Sequence, residues 1–521
     1  MESDARDRGC LRRLLELAVV EPERLRRTLM GIRFPEANYF IASSRLRPGL
    51  DGGYTVSALR RAQQFAEHAG VNPVLLTFDF WPDYDRVVEE FSAAGLMSGQ
   101  TVVRNLLQDA RKNPAFLRER AVAGKPSPLP TARLAGEADL DAQGRPWRII
   151  AMDAETGTIA HTDFLDLEGR PVLRVPYVTG RADWHRAPIL ITVFGEDGSP
   201  LGSLEGFSAL YLAWMQHVID TSTPGLASVV VCESRQVGEL LADLPGDDVR
   251  LVHTVHSAHT SAPYQWDSPV DGLWASWLDE IDRFDAVIWL TDAQRRAVEK
   301  RFGAHDNFWV VPHAVDVEAL PDPEGRDPNL VVMIGRLAAL KRLDQAIAAL
   351  AIVVRDTPAA RLVLYGDGPD EGRLRGLVAA SGLADAVEFR GHRPDAVESL
   401  NQAAALILTS TYEGQGLVVL EALARGCPVV SYDINYGPSE MLVDGENGIL
   451  VANGDIRALA DAVGSILGHP ERLAVLSPAA HESSRRHAPE TSMSRMAEIF
   501  ETVLSRPRRY GARSSPDASP R

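Results

Sequence analysis

The chain has 521 residues, 45% hydrophobic and 24% charged, enough to build roughly two or three domains with cores of their own. Its 71 acidic residues outnumber 54 basic ones, and a formal charge of −17 argues against nucleic acid as the main partner. No apolar run reaches the about 18 residues of a membrane span, the charged start (Glu2, Asp4, Arg6, Asp7) is no secretory leader, and Cys10, Cys232 and Cys427 form neither a disulfide framework nor a paired metal spacing; a cytoplasmic enzyme is the expectation.

Residues 1–33 carry Leu11, Leu14, Leu15 and Leu17 among arginines, an amphipathic helical segment suited to docking on the protein or touching a membrane surface. From residue 34 strands alternate with helices. A strand over 39–43, a glycine turn at Gly52 and Gly53, a helix over 54–70 and a strand over 73–78 predict a βαβ opening to a Rossmann-like domain, whose first part runs over 34–134. Residues 135–206 break the alternation. Short β-prone runs at 147–151, 159–166, 171–175 and 189–194, separated by glycine turns, predict an inserted antiparallel sheet, whose edges offer a surface for homo-oligomerisation.

Alternation resumes over 207–315. The strand near 249–255 leads to His253, His256 and His259, at the edge where open α/β sheets bind ligands. Residues 316–328, acidic and proline-bearing, predict an interdomain linker. A second Rossmann-like domain over 329–484 opens with a strand running into Gly335 and Arg336, followed by Lys341. Fixed cations at that place would stabilise charge developing on a departing phosphate. A later strand ends at Gly391, His392 and Arg393.

The strand over 403–410 leads to a turn, Glu413, Gly414, Gln415 and Gly416, and then to a helix from Leu417 to Arg425 that Gly426 and Pro428 end. Backbone N–H groups and the positive end of the helix dipole make such a turn a phosphate site. Glu413 stands ahead of the helix, and Glu421 lies inside it, where a carboxylate can accept from vicinal hydroxyls. Helices over 456–467 and 489–504 follow, the latter within a segment at 485–504 that returns to the first domain. A Pro-, Ser- and Arg-rich tail over 505–521 predicts disorder.

The run from Ser410 to Pro428, with seven residues between Glu413 and Glu421, resembles the Glu-x7-Glu signature of retaining, nucleotide-sugar-dependent glycosyltransferases of family four. Gly335, Arg336, Leu337 and Lys341, then Asp444, Gly445 and Gly448, also fall at that family's usual places. The resemblance implies the GT-B architecture, two doubly wound α/β domains facing across a cleft. It also implies a UDP-sugar donor, with no metal and no cofactor. In its terms Glu413 contacts the sugar hydroxyls, Glu421 the ribose, and Gly391, His392 and Arg393 the base. Arg336, Lys341 and the amides of Gly414, Gln415, Gly416 and Leu417 hold the diphosphate. His256 lies beside donor sugar and acceptor, and Gly52 and Gly53 approach both. Gln415 departs from the aromatic residue common between those two glycines, which leaves glucose and N-acetylglucosamine both open.

The insert, through its stretch from Phe164 to Val172, resembles the sheet in bacterial poly(glycerol-phosphate) and poly(ribitol-phosphate) glycosyltransferases and in those that prime serine-rich adhesins. The implied reaction is retaining transfer of a hexose to a hydroxyl of a polyol-phosphate, teichoic-acid-like polymer. Transfer to a protein or small molecule, or a non-catalytic acceptor-binding role, are the alternatives. An anionic polymer calls for cations, and Arg170, Arg174, Arg181 and Arg186 of the insert are the expected source. A metal-dependent GT-A reading resting on Asp139 and Asp141 is the weakest alternative.

Overall fold

The computed structural model describes residues 31–49, 53–123, 132–134, 137–178, 180–321 and 325–509. Gly52, nearly all of the expected N-terminal helical segment and the tail from residue 510 lie outside the described residues.

Strands β1 (Asn38–Ser43), β2 (Val74–Thr77) and β3 (Val102–Asn105) come first. An antiparallel group follows: β4 (Ala132–Leu134), β5 (Asp139–Leu140), β6 (Pro146–Asp153), β7 (Ile159–Leu165), β8 (Pro171–Pro176), β9 (Leu190–Phe194) and β10 (Pro200–Glu205). The chain then returns to the first sheet with β11 (Ser228–Cys232), β12 (Val249–Val255), β13 (Ala286–Trp289) and β14 (Phe308–Val310). That sheet is parallel throughout, in the order β14-β13-β12-β11-β1-β2-β3. Helices cover both faces, which is why β11 and β12 are buried at every position and read as unbroken apolar runs.

The second domain repeats the plan with β15 (Asp327–Ile334), β16 (Arg361–Tyr365), β17 (Val387–Phe389), β18 (Ala403–Leu408), β19 (Val429–Tyr432) and β20 (Gly448–Val451). Its order is β17-β16-β15-β18-β19-β20. In each sheet the chain winds outward in one direction and then in the other. The reversal leaves a crevice at the carboxyl ends of β1 and β11 in one domain and of β15 and β18 in the other.

The last helix, Pro489–Ser505, belongs to the first domain's core. Phe500 packs on Phe65 of the helix Gly53–Ala69 with ring centroids 5.8 Å apart, and Arg250 Nε donates to the Val503 carbonyl at 2.7 Å. The helix Pro470–Ser484 is among those absent from the sequence reading. Its internal Pro478 reads as a breaker, but Leu473, Leu476 and Ala480 are buried, and that burial outweighs the missing backbone bond.

The insert shares one core with the first domain. Phe80 stacks on Phe164 at 4.5 Å, and the buried Arg111 donates to the carbonyls of Leu165 and Pro146 while pairing with Asp141 at 3.1 Å.

Candidate active site

Glu413 follows β18, and Lys341 lies in the loop after the neighbouring strand β15. Two hydrogen bonds bolt these loops together: Thr409 Oγ1 donates to the Lys341 carbonyl at 2.8 Å, and Thr411 N to the Leu340 carbonyl at 2.8 Å. Arg342, in a left-handed conformation, spans the same gap by donating from Nε to the Thr409 carbonyl at 2.7 Å. So held, Lys341 Nζ meets Glu413 Oε1 at 2.5 Å, and the Ser410 hydroxyl donates to the same oxygen at 2.5 Å. Arg336, at the end of β15, is exposed, and its guanidinium has no partner among the described residues.

Gly416, at φ +92°, turns the chain into the helix Leu417–Ala424 without a side-chain cap. The amides of Gly414, Gln415 and Gly416 find no acceptor among the described residues. Unanswered N–H groups at a helix N-terminus beside Lys341 and Arg336 make an anion site. Gly391, His392 and Arg393 follow β17, two strands away. The His392 amide donates to Asp367 at 3.0 Å, and the Arg393 side chain is committed to Asp395.

Opposite stands the first domain's crevice. Glu233, just past β11, is fully buried between Arg61, at 2.8 Å, and Nε2 of His256, just past β12. Burial pushes the Glu233 carboxyl up, but Arg61 and the hydrogen bond with His256 outweigh it, and the net shift is downward. The His256 ring stacks on His313 at 5.4 Å and meets the edge of Tyr54 at 5.6 Å. The other two histidines are buried in other surroundings. His253 packs among Trp277 and Phe284 in the core, and His259 is buried against Tyr436.

The two crevices touch. A side chain on Gly414 would collide with the His256 carbonyl, so only glycine permits this approach. Arg60 Nη2 reaches Glu421 Oε1 at 3.0 Å. Glu440 accepts from the amides of Asp292 and Ala293 at 2.9 and 2.6 Å, capping the helix Asp292–Phe302 from across the cleft. Gln415 is buried, its Oε1 accepting from the His313 amide at 2.8 Å, so it fastens the segment that leads to the second domain. Gly53 heads the helix that presents Tyr54, Arg60 and Arg61; a side chain there would meet nothing.

Arg60, Arg61 and Glu233 do not figure in the sequence reading. Arg61 had a legible signal: it falls on the apolar stripe of Ala58, Ala62 and Phe65, where a cation needs a buried carboxylate. Glu233 had another, a charge at the carboxyl end of a buried parallel strand.

The insert's arginines correct an expectation. Arg174 forms a two-pronged pair with Asp163, its cross-strand neighbour, at 2.6 and 2.8 Å. Arg170 pairs with Asp166, Arg181 with Asp183, and Arg186 with Glu239. All four are neutralised locally and do not form a cationic track. Asp139 and Asp141 are likewise tied, to Arg148 and to Arg111.

Residues 318–483 match the family described as Glycosyl transferases group 1. That segment of the chain is similar to the group 1 glycosyl transferases. Among curated relatives, an exopolysaccharide phosphotransferase of Streptomyces coelicolor is 36% identical over 44% of this chain and 25% of its own length. A poly(glycerol-phosphate) alpha-glucosyltransferase of Bacillus subtilis is 30% identical over 42% of this chain and 32% of its own. The chain thus spans a third or less of the length of these two relatives. The crystal structure of a mutant S. aureus TarM in complex with fondaparinux, alpha-GlcNAc-glycerol and UDP superposes with a TM-score of 0.68 over 89% of this chain and 100% of that one, at 19% identity. That likeness shows the fold, and the fold is GT-B with an antiparallel sheet inserted in its first domain. No helix among the described residues is long and apolar enough to cross a membrane.

Proposed function

We propose that this chain is a retaining hexosyltransferase that moves glucose or N-acetylglucosamine from a UDP-sugar to a hydroxyl of a polyol-phosphate polymer, working from the cytoplasm. One observation carries the reading: Lys341, Arg336 and the free amides of Gly414–Gly416 converge where the second sheet reverses, directly across from His256.

In this reading the diphosphate lies on those amides and cations, and Glu413, held by Lys341 and Ser410, aligns the sugar hydroxyls. Glu421 takes the ribose and the loop at Gly391, His392 and Arg393 the base. The bond from the anomeric carbon to the β-phosphate oxygen breaks, and a bond to the acceptor oxygen forms on the same face. The acceptor's proton passes to the departing phosphate oxygen, giving UDP and the glycoside. Arg336 and Lys341 stabilise the charge on that phosphate, and fixed donors aimed at developing charge are worth most in a shielded cleft. His256, its Nε2 held by Glu233, orders sugar and acceptor.

Purified protein incubated with UDP-glucose or UDP-N-acetylglucosamine and polyol-phosphate oligomers tests this. Mass spectrometry should find a hexose added, and NMR should find the donor's anomeric configuration retained. An inverted product, or no transfer and no donor hydrolysis with either sugar, overturns the reading.

A further inference from the structure

Between the insert and the first domain lies a cavity of about 640 Å³, within the range of about 300–1,000 Å³ typical of small-molecule sites. Its floor is the carboxyl edge of the first sheet, with Ser44 after β1 and Phe78 to Phe80 after β2, and its roof is the insert. The Ser44 amide donates to the Tyr54 hydroxyl at 3.3 Å, and Tyr54 meets the His256 ring. One side chain therefore separates this cavity from the proposed reaction centre.

We propose that the cavity is an acceptor subsite for a neutral, hydroxyl-bearing ring: a saccharide unit of the molecule that receives the hexose. The inference rests on the transferase reading above: the saccharide is a unit carried by the polyol-phosphate acceptor proposed there.

Three features select that occupant. The wall is aromatic, with Phe80 stacked on Phe164 at 4.5 Å, Trp184 beside them and Tyr177 at the rim, 54% exposed; such faces suit the C–H face of a sugar ring. Among the cavity's lining residues one formal cation, Arg45, acts on one carboxylate, Asp79, so the charges of the wall itself cancel. The insert's arginines are paired as well. Finally, His185 lines the cavity and is buried. Its Nε2 is held by the Glu239 carboxylate at 2.7 Å, and its Nδ1 has no partner among the described residues. Since a carboxylate can only accept, Nε2 is the donor, and that bond fixes the ring in the cavity wall. Thr162 and Gln236 add further polar groups to the wall.

The test uses the full chain, wild type and Tyr177→Ala, a truncation at the rim that leaves the core intact. Transfer and donor hydrolysis are measured with UDP-glucose and UDP-N-acetylglucosamine against neutral disaccharides and against sugar-free glycerol-phosphate oligomers. Disaccharides should accept the hexose, and Tyr177→Ala should raise their KM about ten-fold while donor hydrolysis stays within about two-fold. Transfer only to sugar-free oligomers, or an unchanged disaccharide KM in the variant, overturns the proposal. If the wild type neither transfers nor hydrolyses, the transferase reading fails instead, and calorimetric titration of the same disaccharides decides the cavity. Binding weakened by Tyr177→Ala supports the subsite, and no binding removes it.

Discussion

Arg60, on the helix Gly53–Ala69, donates from Nη2 to Oε1 of Glu421, on the helix Leu417–Ala424 of the other domain, at 3.0 Å. The carboxylate proposed for the ribose is thus also a tie between domains, and both partners are largely shielded from water. Glu421→Ala should weaken UDP binding by about 1–3 kcal/mol, through lost bonds to a charged group. Arg60→Ala should weaken it too. The double variant should show a coupling of about 0.5–3 kcal/mol. Calorimetric titration of UDP measures all three, and strict additivity would mean that the pair does not act as a unit.

Glu413→Gln should lower kcat while changing UDP affinity little. The amide keeps the shape but loses the charge that holds Lys341 and the donor hydroxyls in line. Steady-state kinetics beside UDP titration separate the two effects, and an unchanged kcat would remove Glu413 from the sugar site.

Arg336→Ala and Lys341→Ala should each cost about 2.7–4 kcal/mol in transition-state stabilisation, a fall in kcat of about a hundred- to a thousand-fold. Their melting temperatures should differ. Arg336 is unpartnered among the described residues, so its loss leaves Tm unchanged, whereas losing Lys341 strips a shielded carboxylate of its counter-ion.

Acid should destabilise this protein from about neutral pH downward. Burial and the charge of His256 hold His253 down to about 3, and burial beside Arg301 holds His259 to about 4. Burial with Arg486 near holds His487 to about 4, and burial with His256 and two arginines near puts His313 well below its usual value. The ordinary value is 6.5, so between there and about 4 the unfolded chain binds protons that the folded chain refuses. Stability is complete above that window and falls with pH inside it, by up to about 1.4 kcal/mol per pH unit for each group. Glu233, held below its ordinary value, adds a loss of the same sign at lower pH. Urea midpoints should be level from about pH 8 to 6.5 and drop beyond; His253→Gln should soften the drop. A midpoint that rises on acidification contradicts this.

Removing residues 132–205 should yield aggregated protein, because Phe80, Trp81 and neighbouring side chains of the first domain lose their cover. The insert is no separable module. Arg111→Ala should cost about 3–5 kcal/mol by leaving Asp141 buried without its innermost counter-ion. Solubility of the deletion and urea midpoints of the variant check both expectations.

The sequence by itself determined the fold class and offered the second domain's half of the candidate site. Buried parallel strands are written as continuous apolar runs, and the glycine turns, Glu413, Glu421 and Lys341 are local to the loops that end them. It also placed the insert, whose short alternating runs and turns are local signals. Only the tertiary structure decided who faces whom. Arg60 meets Glu421 across 361 positions of chain, and Gln294 reaches the Ser257 carbonyl across 37. No local pattern encodes such pairings, because they depend on how two sheets reverse and on the contact of their open edges. The arginines of the insert show the same limit: a charge is legible, but its neutralisation by a cross-strand aspartate is a matter of register, and register exists only once the sheet has formed.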